Sequence, residues 1–115
     1  MTPPKVEFLG DTLIVDSRRR TMPNPIDDAF ALGELIILLF APDSIPGSFG
    51  QFPNLVAIDS ATGQQVWQAE LPTSYTGDRY YKISSHDPLV AYSVKSFVCT
   101  IDPATGRVVD KEFVK

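Results

Sequence analysis

Short apolar runs, each closed by a turn signal, recur along the chain. Val6-Glu7-Phe8-Leu9 and Thr12-Leu13-Ile14-Val15 flank Gly10-Asp11. Gly and Asp tolerate the positive φ of a two-residue turn, so the pattern predicts an N-terminal hairpin over residues 6–16. Ser17 to Pro25 predicts a break. Its prolines cannot donate to a ladder and hold their predecessors extended, as in a surface connection. Ile26–Leu32 and Leu35–Ala41 surround Gly33-Glu34. Ala29, Leu32 and Leu35 are helix formers, so helix competes with strand over 26–41. Two features lean towards strand. Gly33 would cost about 1 kcal/mol in a helix interior. Leu35 to Phe40 has no polar face, which suits a central strand buried on both sides.

Residues 42–53 form a twelve-residue loop with three prolines, two glycines, Phe49 and Phe52. Loops of this length in a small domain are usually functional or mobile. Further strands are expected at Leu55–Asp59, Gln64–Leu71, Arg79–Ser84, Leu89–Val94, Phe97–Asp102 and Arg107–Val114. Between them lie Ser60 to Gly63, a second loop at Pro72–Asp78, Ser85 to Pro88, Lys95-Ser96 and Pro103 to Gly106. Many short strands at regular spacing predict an all-β chain with hairpin connections.

Two of these hairpins are copies of each other. Ala57-Ile58-Asp59-Ser60-Ala61-Thr62-Gly63-Gln64-Gln65-Val66-Trp67 recurs 43 residues later as Thr100-Ile101-Asp102-Pro103-Ala104-Thr105-Gly106-Arg107-Val108-Val109-Asp110. Gly63 and Gly106 supply positive φ at the end of each turn. Asp59, Asp102, Thr62 and Thr105 stand where side-chain oxygens accept from turn amides. Trp67 offers a large apolar plate to a neighbouring sheet, and its indole N–H needs an acceptor. Aligning the turns divides the chain into unit 1 (26–71) and unit 2 (79–114). Four strands in about 40–45 residues is the size of one propeller blade.

The first copy resembles the repeat of quinoprotein-type (pyrroloquinoline quinone-dependent dehydrogenase-like) propellers. Their signature Ala-x-Asp-x-x-Thr-Gly-x-x-x-Trp is present as Ala57, Asp59, Thr62, Gly63 and Trp67. The second copy keeps Asp102, Thr105 and Gly106, with Thr100 for Ala and Asp110 for Trp. The resemblance implies blade packing. It implies no cofactor here, because two blades cannot close the ring that a quinone site needs. The whole chain also looks like small bacterial two-blade proteins encoded near toxins, which end as Ile101, Asp102, Thr105, Gly106, Phe113 and Lys115 do. That likeness would make it an immunity-type interaction protein.

The expected fold is therefore all-β, with two antiparallel four-stranded propeller-like blades plus an N-terminal hairpin, not a closed propeller. A chain of 115 residues suits a single domain, residues 1–115. Its net charge of −4 argues against nucleic acid or an anionic membrane as partner. No apolar run reaches membrane-spanning length, and Met1 to Lys5 has no signal-peptide pattern. The single cysteine excludes an internal disulfide framework. The expected location is cytoplasmic.

Candidate chemistry is sparse. His86 sits alone on a turn, and Ser85-His86-Asp87 cannot converge as a triad because adjacent extended residues point apart. Cys99 lies mid-strand as a small buried hydrophobe. Asp27, Asp28, Glu34 and Asp43 lack a calcium-loop spacing. Tyr80 and Tyr81 should face opposite ways. No catalytic, cofactor or metal residue is expected. The expected role is a non-enzymatic protein-binding module, toxin-neutralising if the likeness to immunity-type proteins holds, engaging its partner through Phe49, Phe52, Asp43, Tyr75, Arg18, Arg19 and Arg20. A homodimer covering an open blade face is also expected. The alternatives are a propeller fragment that oligomerises, or least favoured, a small-ligand protein or enzyme using Tyr75, Tyr80, His86 and the arginines.

Overall fold

The computed structural model describes residues 4–43 and 51–114. Eleven strands form three antiparallel sheets with no helix among the described residues. The first sheet is β1 (Val6–Leu9), β2 (Thr12–Val15) and β3 (Arg18–Thr21). The middle sheet is β4 (Ile26–Leu32), β5 (Leu35–Phe40), β6 (Leu55–Asp59) and β7 (Gln65–Gln68). The last is β8 (Tyr80–Ser85), β9 (Leu89–Ser93), β10 (Phe97–Ile101) and β11 (Val108–Phe113). Neighbours in sequence are neighbours in each sheet, as in propeller-like blades, and none of the sheets closes into a barrel.

The sheets stack in chain order, and the middle one is buried on both faces. Alternation along β5 sends Ile36, Leu38 and Phe40 against Leu13 and Val15 of the first sheet. Ile37 and Leu39 point the other way, to Tyr80, Leu89, Ala91 and Ile101 of the last. This double burial is why Leu35 to Phe40 carries no polar position. Gly33 takes a positive φ of 61° in the turn between β4 and β5, which settles strand over helix for 26–41.

The break expected over 17–25 is corrected in its first half. Arg18 to Thr21 pairs with β2 as a third strand, because Asp16 and Ser17 both take positive φ and make a two-residue turn. A run of arginines has no apolar alternation, so its strand character was hidden. Only Met22 to Pro25 remains a connection. The N-terminal hairpin is thus part of a three-stranded sheet.

The repeat extends to the packing between sheets. β4 and β8 carry register shifts at matching places, after Ile26 and after Tyr80. The Trp67 indole lies over Gly106, where an added Cβ would come within 2.6 Å of the ring. The Arg20 guanidinium lies over Gly63 in the same manner, one sheet earlier. Each Thr-Gly turn is therefore covered by a flat side chain from the preceding sheet, and glycine is required there by both φ and space.

Candidate functional site

Antiparallel connectivity places 41–43, 51–54, 69–79 and the β9–β10 turn at one end of the stack. That end has a buried polar floor. Asn54 immediately precedes β6 and is fully buried. Its Nδ2 donates to the carbonyls of Phe40 (2.8 Å) and Tyr80 (2.7 Å), and its Oδ1 accepts from the Tyr80 N–H at 2.9 Å. One carboxamide thus fastens the middle sheet to the last.

Asp78 does the same for the loops. Its buried carboxylate accepts from the Arg79 N–H (2.9 Å), the Thr73 hydroxyl (2.7 Å) and the Ser93 hydroxyl. Its carbonyl accepts from the Phe52 N–H at 3.0 Å. Arg79 donates to the carbonyls of Pro42 and Gly77, and its guanidinium stands 5.6 Å from the Phe52 ring centroid. Gln51 Nε2 donates to the Thr73 carbonyl.

Tyr75 stands on this floor. Its backbone N–H donates to the Thr73 hydroxyl at 3.1 Å and its carbonyl accepts from the Asp78 N–H at 3.2 Å. Its side chain is 62 % exposed. The arrangement is an aromatic presented to solvent from a backbone braced by hydrogen bonds. Such a group loses little conformational entropy when a partner covers it.

Of the residues expected to meet a partner, Asp43 and Tyr75 are exposed at this end. Phe52 is corrected: it is 8 % exposed and belongs to the core between the first two sheets, held by its N–H bond to Asp78. Phe49 lies outside the described residues. Arg18, Arg19 and Arg20 lie on β3, away from Tyr75, with Arg18 and Arg19 exposed and Arg20 half-buried. Asn54 and Asp78 went unnoticed in the sequence. The only signal was a polar residue directly before a strand, which is common in ordinary loops.

The turn residues act as expected. Asp59 Oδ1 accepts from the N–H groups of Ala61 (2.8 Å) and Thr62 (2.9 Å). Asp102 Oδ1 accepts from Ala104 at 2.9 Å, and its Oδ2 from the Thr105 hydroxyl at 3.1 Å. Thr62 and Thr105 accept from Gln64 and Arg107. The Thr62 amide first, then that of Ala61, hold the Asp59 carboxyl below the usual carboxylate range. A group depressed on folding stabilises above its unfolded pKa and loses that contribution as pH falls through its folded one. Asp59→Asn is therefore expected to flatten the acid limb of stability, read as urea midpoints across the acid range. An unchanged acid limb would remove the role of this turn.

Other candidates are accounted for by packing. Tyr80 is fully buried and Tyr81 is 43 % exposed, at the register shift between Tyr80 and Lys82. The Tyr80 hydroxyl donates to the Glu70 carbonyl at 2.6 Å, and burial holds the phenol protonated. Burial also pushes the Cys99 thiol up to about 11, which leaves it a poor nucleophile. His86 is exposed but stacks on Phe30, with centroids 3.6 Å apart.

No helix among the described residues is long and apolar enough to cross a membrane. No curated protein matches the sequence. Solved structures similar in fold include the following two. The computationally designed protein Ika8 is 10 % identical, with a TM-score of 0.55 over 93 % of this chain and 35 % of its own. BamB from Moraxella catarrhalis is 16 % identical, with a TM-score of 0.50 over 96 % of this chain and 35 % of its own. The chain thus spans about a third of the length of each. Both likenesses support a propeller-like fold, and the quinoprotein-type resemblance holds at that level. A family model matches residues 3–113, and the chain belongs to that family, described as Domain of unknown function (DUF7957).

Proposed function

We propose that this protein is a non-enzymatic protein-binding module of the immunity type, and that it meets its partner at the loop end around Tyr75. The supporting observation is Tyr75 itself, a largely exposed aromatic on a loop anchored by buried Asp78. Interfaces concentrate their energy in such anchors. Asp43 would supply the polar rim and favour a basic partner.

The outer face of the last sheet fits this reading better than ring assembly. At the positions where the middle sheet presents Ala57, Trp67 and Ala69 to its neighbour, the last sheet has Thr100, Asp110 and Glu112, which share their face with Val90, Tyr92 and Val98. Polar replacements of this kind suit a sheet that ends an array.

The test is affinity capture from the native host with the tagged full chain, in three forms. The unaltered chain and Val109→Ser, changed on exposed β11, should retain the same protein. Tyr75→Ala should lose about 2 kcal/mol of binding, roughly 30-fold in Kd. Equal retention by all three forms, or no protein retained by any, would overturn the proposal.

A further inference from the structure

A cleft of about 400 Å3 opens at the junction of the first and middle sheets. Asp16, Arg18, Arg20 and Ser60 line it. Register explains why two of the three arginines reach it. Arg18 stands opposite Val15 and Arg20 opposite Leu13, and both hydrophobics pack towards the middle sheet. Arg19, opposite Ile14, faces away.

The internal repeat then supplies a comparison within the molecule. Trp67 and Arg20 fill equivalent places, each flat over the glycine of a Thr-Gly turn. Trp67 has one donor, and the Pro103 carbonyl satisfies it at 2.9 Å. A guanidinium has five N–H donors and no acceptor. Outside the backbone ladder of β3, neither the Arg18 nor the Arg20 guanidinium has a hydrogen bond or ion pair among the described residues. The Ser60 hydroxyl has none there either, while its N–H is bonded to the Glu34 carbonyl. The single carboxylate in the cleft, Asp16, accepts from the Lys5 N–H at 2.9 Å.

We infer that Arg18 and Arg20, with the Ser60 hydroxyl, form an oxyanion-binding cleft that takes a phosphate or carboxylate group. Three physical features support it. Guanidinium forks match oxyanions bidentately, which point charges do not. Two like charges on one strand face repel, and an anion between them removes that repulsion. Stacking on Gly63 holds Arg20 in place before any ligand arrives, so little side-chain entropy is lost on binding. The cleft is cationic in a chain of net charge −4, so the attraction is local.

The test is an amide NMR titration of the full chain, with inorganic phosphate in one arm and acetate in the other. Saturable shifts are expected at Arg18, Arg20, Ser60 and Gly63. Arg18→Gln and Arg20→Gln should each weaken binding about tenfold, and Arg19→Gln should leave it unchanged. Arg20→Lys keeps the charge without the fork and should also weaken it. Tighter binding of phosphate would identify a phosphorylated or free-phosphate ligand. Tighter binding of acetate would identify an acidic side chain. Should Arg20→Gln fail to fold, Arg18→Gln and Ser60→Ala carry the test. Shifts that do not saturate, or that persist equally in folded Arg18→Gln, would overturn the inference.

Discussion

Trp67→Ala is expected to destabilise the protein by about 3–5 kcal/mol, the range for truncating a large core aromatic. Trp67 is 7 % exposed, lies in the core between the middle and last sheets, and covers the Gly106 turn. Its removal would open a cavity between the two sheets. Trp67→Phe keeps an apolar plate but loses the bond to the Pro103 carbonyl, and should cost less. Urea denaturation measures both. A loss well under about 1 kcal/mol for the alanine variant would mean that the plate does not hold these sheets together. Gly106→Ala offers an independent check. A methyl there meets the Trp67 ring and a positive φ of 77°, so part of its cost should disappear in the Trp67→Ala background.

The second large effect is expected at Asn54. Asn54→Ala should cost about 2–4 kcal/mol, because it strands buried backbone groups rather than removing apolar area. The Tyr80 N–H loses its acceptor, and the carbonyls of Phe40 and Tyr80 each lose a donor. Asn54→Leu fills the space without restoring those bonds and should not recover the loss. Hydrogen exchange provides a site-specific readout: the Tyr80 amide should become one of the faster-exchanging amides of β8. Slow exchange in a folded Asn54→Ala variant would show that the link between the sheets lies elsewhere.

Legibility followed the kind of force involved. The strand Leu35–Phe40 was readable because burial on two faces leaves an unbroken apolar run. Gly33, Gly63 and Gly106 were readable because left-handed turns need a residue without Cβ. β3 was not, because three arginines carry no alternation and only pairing with β2 gives them a strand. Phe52 misled for a related reason. An aromatic in a proline-rich loop reads as exposed, but the backbone bond to Asp78 turns it into the core. Tyr75 was readable as a loop aromatic. Its bracing was not, since Thr73 and Asp78 meet only once the chain has turned.

By itself the sequence determined the strand positions other than β3, the two Thr-Gly hairpins and the all-β class. These depend on local periodicity and on which residues tolerate which backbone angles. Only the tertiary structure decided what those hairpins are pressed against. Trp67 finds Gly106 and Arg20 finds Gly63, each across 39 or 43 residues of chain. It also decided that Asn54 and Asp78 would be buried and bonded. Such contacts depend on which surfaces meet when sheets stack, and for Trp67, Arg20 and Asn54 no short window along the chain contains both partners.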